Sequence, residues 1–225
     1  MRIIICFTVG ILCAGLAKAG LITEGTIERL GPNHSSIDLW GFSTSGGDVV
    51  FDLLSWEIDA TTGLTKDVNG DGELAFLDTY IYLLRDDGDL TKDDKIARND
   101  DSVTTLSSDG SIAGYDSFLA TSVAAGNYFL AVGAFGLSMD EILVGINQSN
   151  FFPDSCAGEI GETCERIRAD HGDYRITWTG DISLTENPGV VISAPEPGTL
   201  ALLSLGLLSV GLSRRVTRET SRTQA

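Results

Sequence analysis

DYRITWTG, residues 173–180, alternates strictly: Tyr174, Ile176 and Trp178 fall on one side of an extended backbone, Arg175, Thr177 and Thr179 on the other. That period of two is the mark of a half-buried β-strand. Short runs of the same kind recur: DVVFDLLSW (48–56), DTYIYLL (78–84), SFLATSV (117–123), NYFLAVGAF (127–135) and EILVGI (141–146). They are rich in β-branched and aromatic residues and are separated by Gly, Asp, Asn and Ser, the residues that turns prefer. NYFLAVGAF is apolar on both faces, as a central strand requires. No part of the body sustains a helical period, so an all-β fold is expected, an antiparallel β-sandwich of two sheets packed face to face. Two stretches stand apart. Residues 20–35 are mixed and read as a lead-in, and 147–172 as a long polar excursion, leaving residues 36–186 as the sandwich domain.

The two ends of the chain differ from this body. MRIIICFTVGILCAGLAKAG has Arg2 as a positive n-region and an apolar core from Ile3 to Leu16. Ala17 and Ala19 then form a small-x-small cleavage site, so residues 1–19 are expected to be a cleavable signal helix. At the other end, Thr199 to Leu212 is an apolar run of 14 residues. A spanning helix needs about 20. Arg214, Arg215 and Arg218 follow it as a basic stop, which the positive-inside rule places on the cytoplasmic side.

Between the ends the charge is strongly acidic. Residues 20–197 carry 9 Lys and Arg against 31 Asp and Glu, a net charge of −22. Such a surface repels nucleic acid and anionic lipid and attracts divalent cations. Cys156 and Cys164 are the two cysteines left after signal removal, eight positions apart in an exported chain, so a disulfide is expected.

DVNGDGELAFLD (67–78) has the spacing of a twelve-residue calcium loop. Asp67, Asn69 and Asp71 stand at positions 1, 3 and 5, Gly72 at the sharp turn, Glu73 at the position that offers a backbone carbonyl, and Asp78 at position 12. Calcium takes six to eight oxygens, and alternate residues of a tight loop point carboxylates inward. The same residues also make ordinary solvated turns. Calcium (Ca2+) is the expected cofactor. A second acidic stretch, RDDGDLTKDDKIARNDD, gathers Asp86, Asp87, Asp89, Asp93, Asp94, Asn99, Asp100 and Asp101. Of these, Asp86, Asp87, Asp89, Asn99, Asp100 and Asp101 make a second candidate metal site. DVNGDG also resembles one repeat of a dockerin, but a dockerin needs two such repeats, each followed by a helix.

GDVVFDLL, DTYIYLLRDDG, IARNDDS and YDSFLATSVAAGNYFLAVGAF follow one another in an order that resembles the bacterial pre-peptidase C-terminal-like domains, in particular their subgroup in PEP-CTERM proteins. Ala125, Gly126, Tyr128, Leu130 and Val132 match that family's A-G-x-Y-x-L-x-V strand. The resemblance covers roughly residues 46–136. It implies a jelly-roll-like, non-catalytic β-sandwich, often calcium-stabilised. The tail carries a resemblance too. Pro195, Glu196 and Pro197 directly before the apolar run, with Arg214 and Arg215 after it, resemble the PEP-CTERM sorting signal. The resemblance divides the end of the chain into a linker (187–194), a sorting signal with a short hydrophobic helix (195–218) and a tail (219–225). It implies an exosortase as partner, a transient stay in the inner membrane, cleavage near the Pro-Glu-Pro triplet, and delivery to the cell surface or medium.

No nucleophile elbow, zinc-protease helix or phosphate loop is present, and His34 and His171 lie in polar surroundings. A non-enzyme is expected. Two roles follow: a structural surface or extracellular-matrix protein, or a module binding extracellular polysaccharide. Trp40, Trp56 and Trp178 could serve the second only if exposed, and their strand-like settings favour the core.

Overall fold

The computed structural model describes residues 21–102, 111–148 and 153–185. The elements are β1 (Leu21–Gly31), β2 (His34–Ser35), β3 (Asp38–Thr44), β4 (Gly47–Leu54), β5 (Ala75–Phe76), β6 (Thr79–Asp86), β7 (Lys95–Asn99), β8 (Phe118–Val123), β9 (Gly126–Ala134), α1 (Met139–Val144), β10 (Asp154–Cys156), β11 (Arg166–Arg168), β12 (His171–Thr179) and β13 (Ile182–Leu184). One sheet runs β2-β1-β12-β4-β8, the other β13-β3-β9-β6-β7, and β11-β10-β5 form a smaller third. All the paired strands are antiparallel, and the expected all-β sandwich is what forms.

Alternation builds the main core. Trp40 and Phe42 from β3 meet Phe51 from β4 and Trp178 from β12, with ring centroids of Phe51 and Trp178 5.4 Å apart and nearly perpendicular. Edge-on aromatic contacts of this kind add to the area they bury. Trp40, Trp56 and Trp178 are all buried, as their strand settings imply. β6 is buried on both faces: Ile81 and Leu83 point into the main core, whereas Tyr80, Tyr82 and Leu84 face a second cluster with Leu137 and Ile142.

That second cluster exists because EILVGI is not the strand its composition suggests. Ser138 Oγ accepts from the Glu141 amide while Glu141 Oε2 accepts from the Ser138 amide at 2.7 Å, a capping box. Gly145, at φ 78°, closes the other end. Reciprocal capping and a left-handed terminus favour a short helix over β propensity. α1 then lays Ile142 over the outer face of the β6 sheet.

Residues 20–35 also differ from expectation. From Leu21 onward they form β1, which pairs with β12 from Leu21↔Trp178 to Glu28↔His171, so the sandwich starts there and not at residue 36. The excursion 147–172 contributes β10 and β11, and β10 pairs with β5. Among the described residues no helix is long and apolar enough to cross a membrane. The signal residues Ala17 and Ala19 and the sorting residues Pro195, Glu196, Pro197, Arg214 and Arg215 lie outside the described residues.

Candidate functional site

The loop 67–74 is wound around carboxylates. Asp67 accepts from the Gly70 amide through Oδ1 and from the Gly72 amide through Oδ2, at 2.5 and 3.0 Å. Asn69 Oδ1 accepts from the Asp71 amide, and Asp71 Oδ1 from the Glu73 amide at 2.8 Å. Gly70 and Gly72 sit at φ 85° and 87°, where a side chain would be strained. The ends of the loop are held by Glu57, which is fully buried: Oε1 accepts from Val68 N at 3.0 Å and Oε2 from Ala75 N at 2.7 Å. Burial raises the Glu57 carboxyl to about 7 despite those two amides.

Asp67, Asn69, Asp71 and the Glu73 backbone are thus brought together in one tight turn. Asp78 is not. It lies at the entrance to β6, beside a cavity of about 150 Å³ lined by Trp56, Tyr115 and Arg166. Among the described residues its Oδ1 is buried without a hydrogen-bond partner. Burial, then the charges of Asp101, Asp100 and Asp116, push it up to about 7. A cleft of about 270 Å³ is shared with Asn69, Asp71 and Glu73 by Glu24, Gly25 and Thr26 of β1 and Asp173 and Tyr174 of β12. Twelve-residue loops place position 12 by continuing into a helix. Here the chain continues into β5 and β6, which carries Asp78 elsewhere.

The second candidate set also divides. Asn99 pairs with Ile81 in the β6–β7 register, and Asp86 ends β6 five positions further on. At about 3.3 Å per residue the two ends of the hairpin are some 17 Å apart. Asp86, Asp87 and Asp89 occupy the turn, where Asp86 Oδ1 accepts from Gly88 N. At the other end Asn99 Oδ1 accepts from Phe118 N at 2.8 Å, and its amide donates to the Asp101 carbonyl. The six residues therefore do not converge on one cation. Asp94 caps the short helical turn 92–94 through Thr91.

Cys156 and Cys164 form the expected disulfide, with Cα atoms 5.2 Å apart. It packs with Ile58 against the small cluster of Trp56, Leu74, Phe76 and Ala113. Cys156 also lines a cleft of about 660 Å³, whose lining includes Glu73, His171 and Asp173.

Those three residues are a grouping that no sequence spacing announces. His171 and Asp173 are two apart on β12 and so share a face, and the loop brings Glu73 to them. His171 Nε2 is 3.5 Å from Glu73 Oε2 and 3.5 Å from Asp173 Oδ2. One ligand atom from each lies within 4.8 Å of the others. The period-two spacing of His171 and Asp173 was the available signal, but nothing local points from them to Glu73.

Residues 193–215 match the family model of the PEP-CTERM protein-sorting motif. No curated protein matches the chain. The motif match does not extend to the body and gives no support to its resemblance to the pre-peptidase C-terminal-like domains. What it establishes is a sorting address: the chain carries the mark of an exported protein that an exosortase processes at its C-terminus, for the cell surface or the medium.

Proposed function

We propose that the protein is a non-catalytic structural component of the cell surface or extracellular matrix, with a sandwich stabilised by calcium. The observation that carries this reading is the sorting motif at 193–215 behind a β-sandwich whose tryptophans are all committed to the core. A buried aromatic core supports a scaffold rather than a sugar-stacking face. The strongly shifted carboxyls Asp38 and Glu57 are held by Tyr174 and by loop amides, which supports structural duty for both. Calcium would be held by Asp67, Asn69 and Asp71 with the Glu73 carbonyl. Oxygen donors alone, on a loop whose glycines adopt the turn, are the chemistry that cation prefers. The C-terminal segment would rest in the inner membrane until the exosortase releases the body near Pro195-Glu196-Pro197.

The test is the melting temperature of residues 20–194 in millimolar calcium and in excess chelator. Calcium at a thousand times its dissociation constant should add about 4 kcal/mol and raise the midpoint by several degrees. Asp67→Asn should abolish the difference. Equal melting in both conditions would remove calcium from the account. For sorting, Glu196→Ala in exosortase-bearing cells should leave uncleaved chain in the membrane fraction; normal processing would refute the proposed cleavage signal.

One observation favours polysaccharide binding as a second reading. Tyr115 is 46% exposed, and its ring lies 4.3 Å from that of Trp56 at the mouth of the Asp78 cavity. Tryptophan fluorescence should then respond to an extracellular glycan and lose the response in Tyr115→Ala. Indifference to a broad glycan panel would leave the structural role alone.

A further inference from the structure

The two 3.5 Å separations around His171 are long for hydrogen bonds. Both match a ligand–ligand edge of a coordination shell, and the third pair lies within 4.8 Å. Nitrogen and carboxylate ligands sit about 2.1 Å from a zinc-class ion, and two ligands of a tetrahedron at that radius are about 3.4 Å apart. Calcium needs longer bonds, roughly 2.3–2.6 Å, and takes oxygen rather than imidazole. We propose that Glu73 Oε2, His171 Nε2 and Asp173 Oδ2 form a binding site for a divalent transition cation of the zinc class.

The supporting hydrogen bond is already in place. Thr26 Oγ1 donates to Asp173 Oδ1 at 2.7 Å, which occupies one carboxylate oxygen and turns the other toward His171. A ligand carboxylate oriented by an outer hydroxyl is the usual second layer of such a centre. The ligands come from two separate parts of the chain, with Glu73 and His171 98 positions apart. An occupied site would therefore clamp the 67–74 loop onto β12 at the rim. Three protein ligands leave one tetrahedral position for a further donor, and the 660 Å³ cleft that the three residues line gives it access. Glu73 is tied to the loop through its backbone amide, which donates to Asp71 Oδ1, while its carboxylate faces the imidazole.

The experiment titrates the purified full-length chain, in detergent, with Zn2+ against a chromophoric competitor, and with Co2+ for its visible spectrum. One equivalent of Zn2+ should bind, and bound Co2+ should show the intense absorption of tetrahedral geometry. His171→Ala should weaken binding at least about a hundredfold, and Thr26→Val by about ten- to a hundredfold. His34→Ala, at the other histidine of the body, should leave it unchanged. His171→Gln serves as a second variant, and melting in chelator confirms that both remain folded. Millimolar calcium should not displace the zinc. The proposal is overturned if Zn2+ does not bind, if it binds His171→Ala as well as the native chain, or if calcium displaces it one for one.

Discussion

The hydroxyl of Tyr174 on β12 donates to Asp38 Oδ2 on β3 at 2.5 Å and accepts from Trp40 Nε1 at 2.8 Å, inside the core between the two sheets. Tyr174 and Asp38 are 136 positions apart, so one phenol pins the sheets together. Tyr174→Phe removes the oxygen, leaving a carboxylate and an indole N–H without that partner. A bond to a charged group contributes about 1.5–3 kcal/mol, and an orphaned donor costs more on top. Urea unfolding of the variant should show a loss of about 2–4 kcal/mol. A change below 1 kcal/mol would mean that the sheets do not depend on this bond.

Asp38 should make the fold more stable in mild acid than at neutral pH. Burial is the main cause that raises its carboxyl to about 6, the Tyr174 hydrogen bond opposes it, and Glu28 adds to it. An acid whose folded pKa is raised binds its proton more tightly in the folded state, so its ionisation destabilises the fold at neutral pH. That cost is full above about 6, shrinks as pH falls through 6, and is gone near the unfolded value of about 4. Stability should therefore rise by about 2 kcal/mol from pH 7 to pH 4.5 on account of this residue. Asp38→Asn keeps an acceptor for Tyr174 and should flatten that part of the profile. The difference between native and variant midpoints at each pH isolates Asp38 from Glu57, whose carboxyl is also raised.

Glu57 does for the acidic loop what Tyr174 does for the sheets. Its two oxygens accept from Val68 N and Ala75 N, on either side of residues 69–74. Glu57→Gln offers one acceptor where two amides need one each, so an N–H faces an NH2 group. The expected cost is about 1–3 kcal/mol. It should be local: amide exchange at Val68 or Ala75 should accelerate, while the amides of β9 stay protected. Uniform acceleration across the sandwich would refute the idea of a local strut.

The strands that bury one clean face were legible because their own side chains carry the period. Tyr174, Ile176 and Trp178 announce β12 without help from any neighbour. β1 is different. Ile27 is its one fully buried residue, so LITEGTIERLG carries almost no alternation of its own. α1 had a readable signature in Ser138 and Glu141, but six residues are too few for a helical period to outweigh β-branched composition. The Asp67–Asp71 turn was legible because it is local. Asp78, placed by sequence spacing with that turn, is carried off by two strands, and the His171 grouping depends wholly on how β12 lies beside the loop. Local chemistry reads directly; convergence of distant residues depends on topology.

The weak patterning of β1 has a physical cause at Gly25. This residue pairs directly with Tyr174, and an added Cβ would stand 2.3 Å from the Tyr174 hydroxyl oxygen and 2.4 Å from Cζ. The phenol that pins the sheets thus lies across the β1 backbone, filling the space a β1 side chain would otherwise occupy. Glycine is required here by that close approach. Gly25→Ala must push the ring aside, and with it the bonds to Asp38 and Trp40, so a loss of about 2–4 kcal/mol is expected from overpacking and the disturbed network together. Tyr174→Leu alone should also destabilise the fold. In that background, however, Gly25→Ala should cost little, because the ring it strikes is gone. A double-mutant cycle should give a coupling energy of about 1–3 kcal/mol. Additive losses would show that Gly25 serves the strand by itself and that the tyrosine does not need its absent side chain.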